Sequence, residues 1–310
     1  MRTIKFYKIQ YLLSVFLSIF VASCEQETDG IIKYEAFGET EAGKALVNNT
    51  SLVATVFSDS TYSLENGVDI TELHYFSMKG YSMKLFIMEV DLTEPNISVE
   101  VTTPNNKNTF GFQPMTEQAI YENTDGHQVL AGINGDFFNT TTGVPNGILY
   151  KEGTRIKDFT GANSNFFAVL SDRKGIVGDN IKLEEVRANI QEGIGGGVRL
   201  VRGGILVSQS DETVNPRTCL GVDETGNKII ILEVDGRNYH YSNGMTYEEL
   251  GQCMLALGAY DALNLDGGGS STFFIRDKEN TGNFLLRNWP CDNGGKERAV
   301  ANGLVVIHNQ

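Results

Sequence analysis

The chain has 310 residues, a formal net charge of −14 and a hydrophobic fraction of 41%. With 17 Phe and 12 Tyr, this composition is typical of a globular protein and excludes a wholly disordered chain. Because the net charge is strongly negative, we expect no nucleic-acid partner, and any anionic ligand must be held by local positive groups.

The first 23 residues have the features of a secretory signal peptide. Arg2, Lys5 and Lys8 precede an uncharged apolar run, which ends in Val21-Ala22-Ser23-Cys24. The run is too short to span a bilayer, which takes about 20 apolar residues. The small residues before Cys24 resemble the lipobox of bacterial lipoproteins, and this implies cleavage before Cys24 and lipidation of its thiol. A plain secretory signal with an incidental Cys24 is the alternative.

A polar segment follows Cys24. Its acidic start, residues 25–29, is similar to the surface-export signal of Bacteroidetes lipoproteins, which implies an outer-membrane anchor with display at the cell surface. Residues 25–50 lack hydrophobic periodicity, so we expect a tether and N-terminal extension over residues 24–66. One main domain is then expected over residues 67–310. Three further cysteines fit no zinc-site spacing, and the sequence leaves their disulfide pairing open: Cys219, Cys253 and Cys291.

Strand-like segments dominate the rest of the chain. They are short, rich in β-branched and aromatic residues, and separated by turn signals. One such turn, Glu224-Thr225-Gly226-Asn227, predicts a hairpin between Leu220 and Ile229. The predicted strands are residues 52–57, 83–91, 97–102, 166–171, 199–201, 218–222, 228–234 and 300–307.

Two helices are predicted. One begins at Thr246, which forms a capping-box pattern with Glu249, and apolar residues recur at helical spacing until Gly258. The other lies near residues 115–121. Each leads into a short apolar segment and an Asn-x-Asp loop, which we interpret as an internal pseudo-repeat of helix, strand and loop. Together the elements predict an α+β fold, with mixed, mostly antiparallel sheets and a few packed helices in a single main domain.

The second of these loops is the segment richest in chemical groups. It places Asp266 before three glycines, whose N–H groups a ligand can approach closely because glycine has no side chain. Two hydroxyl groups follow the glycines, and no Lys stands where a phosphate-binding loop needs one. A tight turn between strands is the alternative interpretation. The residues concerned are Gly267, Gly268, Gly269, Ser270 and Ser271.

The first loop, residues 134–139, combines Asn134, Asp136 and Asn139 with two phenylalanines. Polar groups beside aromatic rings suit a carbohydrate site, although the phenylalanines could also be core residues at a strand end. Basic residues are scarce, so Arg217 and Arg298 are candidates for holding a phosphate by forked hydrogen bonds. Arg202 is a weaker candidate, and an ordinary surface position is the alternative for each.

Five segments, taken in order, resemble the motifs of the phosphodiester glycosidase family. They are residues 134–139, 217–222, 235–237, 264–272 and 298–304. The resemblance covers about residues 67–310. It implies a hydrolase that cleaves the bond between a sugar anomeric carbon and a phosphodiester oxygen, and that releases the sugar and a phosphomonoester.

This reaction needs positive groups, a carboxylate, and polar groups that bind the sugar and the phosphate. A sugar phosphate is a good leaving group, so positive charge can replace part of the usual general acid, and we expect Arg217 and Arg298 to supply it. A carboxylate must activate water or attack the anomeric carbon, and the candidates in order of preference are Asp266, Asp136 and Asp235. The groups expected to bind sugar hydroxyls and phosphate oxygens are Asn134, Asn139, the amides of Gly267, Gly268 and Gly269, and the hydroxyls of Ser270 and Ser271.

Alternatives stay open at the level of the sequence. Asn134, Asp136 and Asp266 offer oxygen ligands for calcium or magnesium, but no contiguous ligand loop supports a metal, so no cofactor is expected. A noncatalytic surface lipoprotein that binds anionic glycans in the same cleft is the alternative function. A structural lipoprotein, in which the glycine-rich loops only turn the chain, is a third.

Overall fold

The computed structural model of the protein describes residues 36–159, 165–292 and 294–310. These residues belong to one compact unit, Ala36–Gln310. Every strand pair within them is antiparallel, and four α-helices accompany the sheets, which confirms the predicted α+β class. The signal peptide and Cys24 lie outside the described residues, so both stay predictions.

The largest sheet has eight strands. In order across the sheet they are β1 (Val53–Glu65), β2 (Val68–Ser77), β3 (Ser82–Asp91), β14 (Lys228–Val234), β13 (Arg217–Val222), β15 (Asp261–Asn264), β11 (Arg199–Arg202) and β12 (Ile205–Leu206). The predicted hairpin joins β13 to β14, with Val222 opposite Ile229. Every residue of β13 is buried, because the central strands are covered on both faces.

Two five-stranded sheets complete the fold. Their strands, in order across each sheet, are β7 (Thr154–Lys157), β6 (Leu149–Lys151), β10 (Ile190–Gly196), β8 (Asn165–Leu170) and β9 (Gly175–Asp179), and then β17 (Phe284–Leu286), β16 (Phe273–Arg276), β5 (His127–Asn134), β18 (Gly303–Asn309) and β4 (Ile97–Thr102). The largest apolar cluster draws on all three sheets. Phe86, Ile133 and Phe167, one from each, are completely buried in it.

The helices are α1 (Glu41–Asn49), α2 (Met115–Glu122), α3 (Asn180–Val186) and α4 (Tyr247–Ala256). The capping box predicted at the start of α4 is present: Glu249 N–H donates to Thr246 Oγ1 at 3.2 Å, and Thr246 N–H donates to Glu249 Oε2 at 2.9 Å. Helix α2 precedes β5, and α4 precedes β15, as the pseudo-repeat requires. None of the helices described is long and apolar enough to cross a membrane.

The folded unit starts earlier than the sequence indicated. A tether and extension were expected over residues 24–66, but the compact unit begins at Ala36. Asp59 accepts hydrogen bonds from the N–H groups of Glu39 at 2.7 Å and Thr40 at 2.9 Å, which fixes the start of α1. Leu46 of α1 is buried in the second apolar cluster. Helix α1 is only nine residues long and lies in a polar stretch, so the sequence did not reveal it.

Candidate active site

The two Asn-x-Asp loops meet in the structure. Asp266 N–H donates to Gly135 O at 3.0 Å, and Asn134 Nδ2 donates to Asp266 O at 2.7 Å. Asn134 Oδ1 in turn accepts hydrogen bonds from Thr218 Oγ1 at 2.8 Å and from Thr272 N–H at 3.0 Å. Asn134 is completely buried. Its hydrogen bonds join the two loops, and its side chain does not line a cleft. The sequence had suggested that Asn134 binds substrate.

Asp136 lies in a pocket made mainly of backbone and is only 2% exposed. Its Oδ2 accepts a hydrogen bond from Gly147 N–H at 2.6 Å, and its own N–H donates to Asn302 Oδ1 at 2.9 Å. A Cβ on Gly195 would lie 2.6 Å from the same Oδ2, so only glycine fits there. Burial raises the pKa of Asp136 to about 7, although backbone hydrogen bonds oppose the shift. This carboxyl can therefore gain or lose a proton near neutral pH.

Asp266 is more open to solvent than Asp136. Gly267 N–H donates to its Oδ1 at 2.9 Å, and the Ser270 hydroxyl contacts the same carboxylate. Burial raises the pKa of Asp266, against the effect of these hydrogen bonds and of the nearby Arg298 charge. The negative charge of Asp266 also contributes to the raised pKa of Asp136, so the two carboxyls interact electrostatically.

Two arginines border the glycine loop. Arg298 Nη1 donates to Ser270 Oγ at 3.2 Å, and Nη2 pairs with Asp292. On the other side, Arg237 Nη1 lies 3.8 Å from Asp292 Oδ1, and a Cβ on Gly268 would lie 3.2 Å from Arg237 Nη2. The side chains of Arg237 and Arg298 are 48% and 41% exposed, so both charges are accessible to an anion. Arg237 lies in the segment of residues 235–237, one of the five that resemble the family, but the sequence did not show that it reaches this loop.

The three glycines form a tight loop, which is the alternative that the sequence left open, and the amides of Gly267 and Gly268 are engaged within the protein. Gly267 N–H donates to Asp266 Oδ1, and Gly268 N–H donates to Pro216 O at 2.9 Å. A Cβ on Gly269 would lie 1.8 Å from Asp292 Oδ2, so a side chain there would displace the Asp292–Arg298 pair. Ser270 and Ser271 are buried, and the Ser270 hydroxyl contacts both Asp266 and Arg298.

Arg217 does not reach this loop. Alternate residues of a strand point to opposite faces, and Thr218 points toward the two Asn-x-Asp loops. Arg217 therefore points away, where Nε donates to Met245 O at 3.1 Å and Nη2 to Thr213 O at 2.8 Å. Its guanidinium carbon lies 3.8 Å from the centre of the Tyr247 ring. The phosphate-binding role expected for Arg217 has no support in this geometry.

Asn139 is also engaged elsewhere. Its Oδ1 accepts hydrogen bonds from the N–H groups of Thr141 at 2.9 Å and Thr142 at 3.0 Å. The side chain thus closes its own exposed turn. The structure gives no support for its expected contact with substrate.

Asp235 is buried beneath the segment that carries Asp292. Both of its carboxylate oxygens accept the Trp289 N–H, each at 2.9 Å. Burial raises the pKa of Asp235 and that of its neighbour Glu233. With its oxygens engaged and its side chain inaccessible, Asp235 is placed to hold this segment, and the catalytic role expected for it is not favoured.

The oxygens considered as metal ligands are engaged by the protein itself. Asn134 Oδ1 accepts two hydrogen bonds, and Asp136 Oδ2 accepts one. A second group, Glu100, Glu122 and His127, has its ligand atoms within 4.8 Å of one another. There the Lys151 ammonium donates to Glu122 at 2.9 Å and already supplies the positive charge. Hydrogen bonds within the protein therefore already engage Asn134 Oδ1, Asp136 Oδ2 and the Glu122 carboxylate.

Comparison with known proteins relates the chain to one family. The family model described as phosphodiester glycosidase matches residues 127–307. The N-acetylglucosamine-1-phosphodiester alpha-N-acetylglucosaminidases of Bos taurus and Homo sapiens are 28% and 26% identical to the chain over 180 residues, or 51% of this chain. The match spans about a third of each relative, 32% and 33%.

Solved structures give the same result for the fold. The zebrafish catalytic domain of the enzyme with that name, auto-inhibited by its pro-peptide, superposes with a TM-score of 0.61 at 20% identity, covering 82% of this chain and 89% of that one. A hypothetical protein from Synechocystis gives a TM-score of 0.60 at 15% identity, covering 81% and 64%. The family match extends over more than half of the sequence and includes both Asn-x-Asp loops. The chain therefore belongs to the phosphodiester glycosidase family.

Proposed function

We propose that this protein hydrolyses sugar-1-phosphodiesters at the glycosidic bond and releases the sugar and a phosphomonoester. One observation carries the proposal: two carboxyls with raised pKa, Asp136 and Asp266, share a site with two accessible arginines, Arg237 and Arg298. Family membership and the names of the curated relatives support the same reaction class.

The arginines suit the phosphate of such a substrate. Asp292 lies between Arg237 and Arg298 and keeps both guanidinium groups beside the glycine loop. Guanidinium groups bind phosphate oxygens through forked hydrogen bonds. They also stabilise the negative charge that develops on the leaving oxygen when the glycosidic bond breaks. The arginines therefore bind the substrate and assist departure of the phosphomonoester.

The carboxyls suit the proton transfers. Asp266 is the more accessible of the two, and as a carboxylate it takes a proton from water while the water oxygen bonds to the anomeric carbon. The bond from that carbon to the phosphate oxygen breaks at the same time, and its electron pair leaves with the phosphomonoester. The Asp266 charge contributes to raising the pKa of Asp136 to about 7, so the protonation of the two carboxyls is linked.

The test is hydrolysis of defined sugar-1-phosphodiesters, prepared with several sugars, by the purified mature protein. We expect wild type to release free sugar and a phosphomonoester. We expect Asp266→Asn to lower kcat by about 10³-fold, a typical cost of losing a general base. Asp125→Asn, at an exposed turn position, is the matched control and should keep the wild-type rate.

Two outcomes would contradict the proposal. If Asp266→Asn keeps a near-normal rate with an unchanged melting temperature, Asp266 is not the base. If wild type binds anionic glycans but hydrolyses none of the phosphodiesters, the protein is a noncatalytic glycan-binding protein.

A further inference from the structure

A cavity of about 310 Å³ lies between helix α4 and the turn that joins β2 to β3, and we call it the α4 cavity. Its lining comes from this turn, from the first half of α4 and from the segment just before α4. Neither of the two candidate catalytic carboxyls and neither of the two arginines beside them lines it. The α4 cavity is therefore separate from the candidate active site, and it has the size of a site for a small ligand.

The protein itself holds the walls of the α4 cavity. Met78 N–H, in the β2–β3 turn, donates to Leu52 O at 2.8 Å, which fixes the turn against the start of β1. On the opposite wall, the capping box fixes the first turn of α4. Lys79 Nζ lies 2.8 Å from Glu249 Oε1 and so links the turn to the helix. The space is thus formed before any ligand binds.

Tyr75 contributes a hydroxyl group that lacks a partner. Its side chain lines the α4 cavity and is only 1% exposed. Within the part of the chain that the structure describes, no group forms a hydrogen bond with this hydroxyl. Burial, followed by the charges of Cys253 and Glu249, raises the pKa of Tyr75 well above its usual value, so the hydroxyl keeps its proton. Because leaving a buried hydroxyl unpaired costs free energy, the group is suited to donate to a ligand.

The rest of the inner surface is mainly apolar. Met83 and Met245, which are 4% and 1% exposed, line the α4 cavity together with Leu52. Methionine side chains are flexible, and their sulfur atoms make favourable contacts with aromatic rings. This lining can therefore pack closely around a ring.

The charges at the mouth of the α4 cavity select against an ionised ligand. Lys79 already pairs with Glu249, and Glu248 adds a second carboxylate to the lining. The negative charges outnumber the positive one, so an anion is repelled. A cation that passed the mouth would lose its water among apolar side chains without gaining a free partner. An uncharged ligand suits the cavity best.

We propose that the α4 cavity binds a small uncharged ring compound whose oxygen accepts a hydrogen bond from Tyr75. The ring packs against the methionine side chains, and the oxygen pairs the buried hydroxyl. A volume of about 310 Å³ is at the small end for a ligand site, which favours a single ring with a short substituent. This inference does not depend on the proposed function, and its tests need no turnover.

The first test observes the site itself by NMR. The mature protein, labelled with carbon-13 at the methionine methyl groups, is titrated with benzyl alcohol, a ring that carries one oxygen. We expect the Met83 and Met245 signals to shift until saturation. The signals of Met88 and Met115, which belong to other apolar clusters, are the internal control and should stay in place. No saturable shift, or equal shifts of all four signals, would overturn the proposal.

The second test removes one oxygen atom from each partner in turn. Tyr75→Phe should weaken the binding of benzyl alcohol about fivefold, because one hydrogen bond is lost. It should leave the binding of toluene, the same ring without the oxygen, unchanged. Tyr150→Phe, at a tyrosine buried in another cluster, is the matched control and should bind both probes like wild type. Equal affinity of wild type and Tyr75→Phe for benzyl alcohol would contradict the assigned hydrogen bond.

Stability provides a measurement without any probe. Because no described residue pairs with the Tyr75 hydroxyl, Tyr75→Phe should keep or raise the melting temperature. Tyr150→Phe should lower it, since the Tyr150 hydroxyl accepts a hydrogen bond from Arg187 Nη1 at 3.2 Å. If Tyr75→Phe lowers the melting temperature, the hydroxyl has a partner within the protein, and the proposal is wrong. If the Met83 and Met245 signals shift with protein concentration alone, a second copy of the chain fills the cavity, and the proposal is equally wrong.

Discussion

Asp136 shows how strongly the environment of one residue controls its chemistry. Its pKa, normally 3.8, rises to about 7 because burial removes water from the carboxylate. Glycines at positions 147 and 195 allow the backbone to approach it so closely that side chains there would clash. The sequence indicated an acidic residue after a strand, but the burial arises only when three distant segments pack together.

This raised pKa predicts a pH-dependent stability. Between about pH 4 and pH 7 the folded state binds the Asp136 proton and the unfolded state does not, so wild type loses stability as the pH rises through this range. In Asp136→Asn this dependence is absent, and the amide oxygen can still accept the Gly147 N–H. We expect the free energy of unfolding of the variant, relative to wild type, to increase by on the order of 2 kcal/mol between pH 5 and pH 8.

Urea unfolding at the two pH values measures this difference. Asp125→Asn, at its exposed position, serves as the control and should show no such change. A constant difference between Asp136→Asn and wild type at both pH values would show that the carboxyl is not protonated in the folded state.

At the scale of the elements, the direction of side chains along strand β13 determines whether Arg217 can bind phosphate. The sequence identified the strand correctly, but alternation along it turns Arg217 toward Met245 and Thr213, away from the glycine loop. Arg237, which follows β14, lies beside Gly268 instead. Alternation along β13 therefore gives Arg217 a structural role, whereas Arg237 is a candidate ligand of phosphate.

Replacing each of these arginines by alanine should give a different result. Arg237→Ala should raise KM for a sugar-1-phosphodiester about tenfold more than KM for a neutral aryl glycoside, because it removes a charged phosphate contact. Arg217→Ala should lower the free energy of unfolding by about 1–3 kcal/mol, because it removes a buried hydrogen bond to Met245 O and the packing of the guanidinium group on the Tyr247 ring. Steady-state kinetics with both substrates, and urea unfolding, measure the two effects. The assignment is wrong if Arg217→Ala is the variant that discriminates between the substrates.

Some secondary-structure elements could be predicted from the sequence, and others could not. Strands 97–102 and 228–234 and the capping box of α4 agree with the sequence, because apolar runs and capping residues act locally. Helix α1 and most of the β1–β2 hairpin were missed, because their outer faces are polar and their inner faces depend on distant partners. The two loops were identified from their residues, but their contacts depend on the packing of β5 against β16 and β18.

At the scale of the whole molecule, charge and attachment bear on the choice of substrate. The chain carries a net charge of −14, which repels polyanions except where arginines are concentrated. The compact unit begins at Ala36, so the segment from Cys24 spans at most about 40 Å even if fully extended. A lipid on Cys24 would therefore keep Ala36, the start of the compact unit, within about 40 Å of a membrane surface.

Lipid attachment at Cys24 is the prediction that tests this arrangement. The apolar run and the small residues before Cys24 motivate it. We expect the mature wild-type protein, expressed in a bacterium, to sediment with membranes and to enter the detergent phase on Triton X-114 partitioning. Cys24→Ser should give a soluble or unprocessed protein, because the thiol that carries the lipid is absent. Cys291→Ser, which replaces a free thiol near the surface, is the control and should fractionate like wild type. If Cys24→Ser still partitions with membranes after its signal peptide has been removed, the attachment does not depend on this lipid.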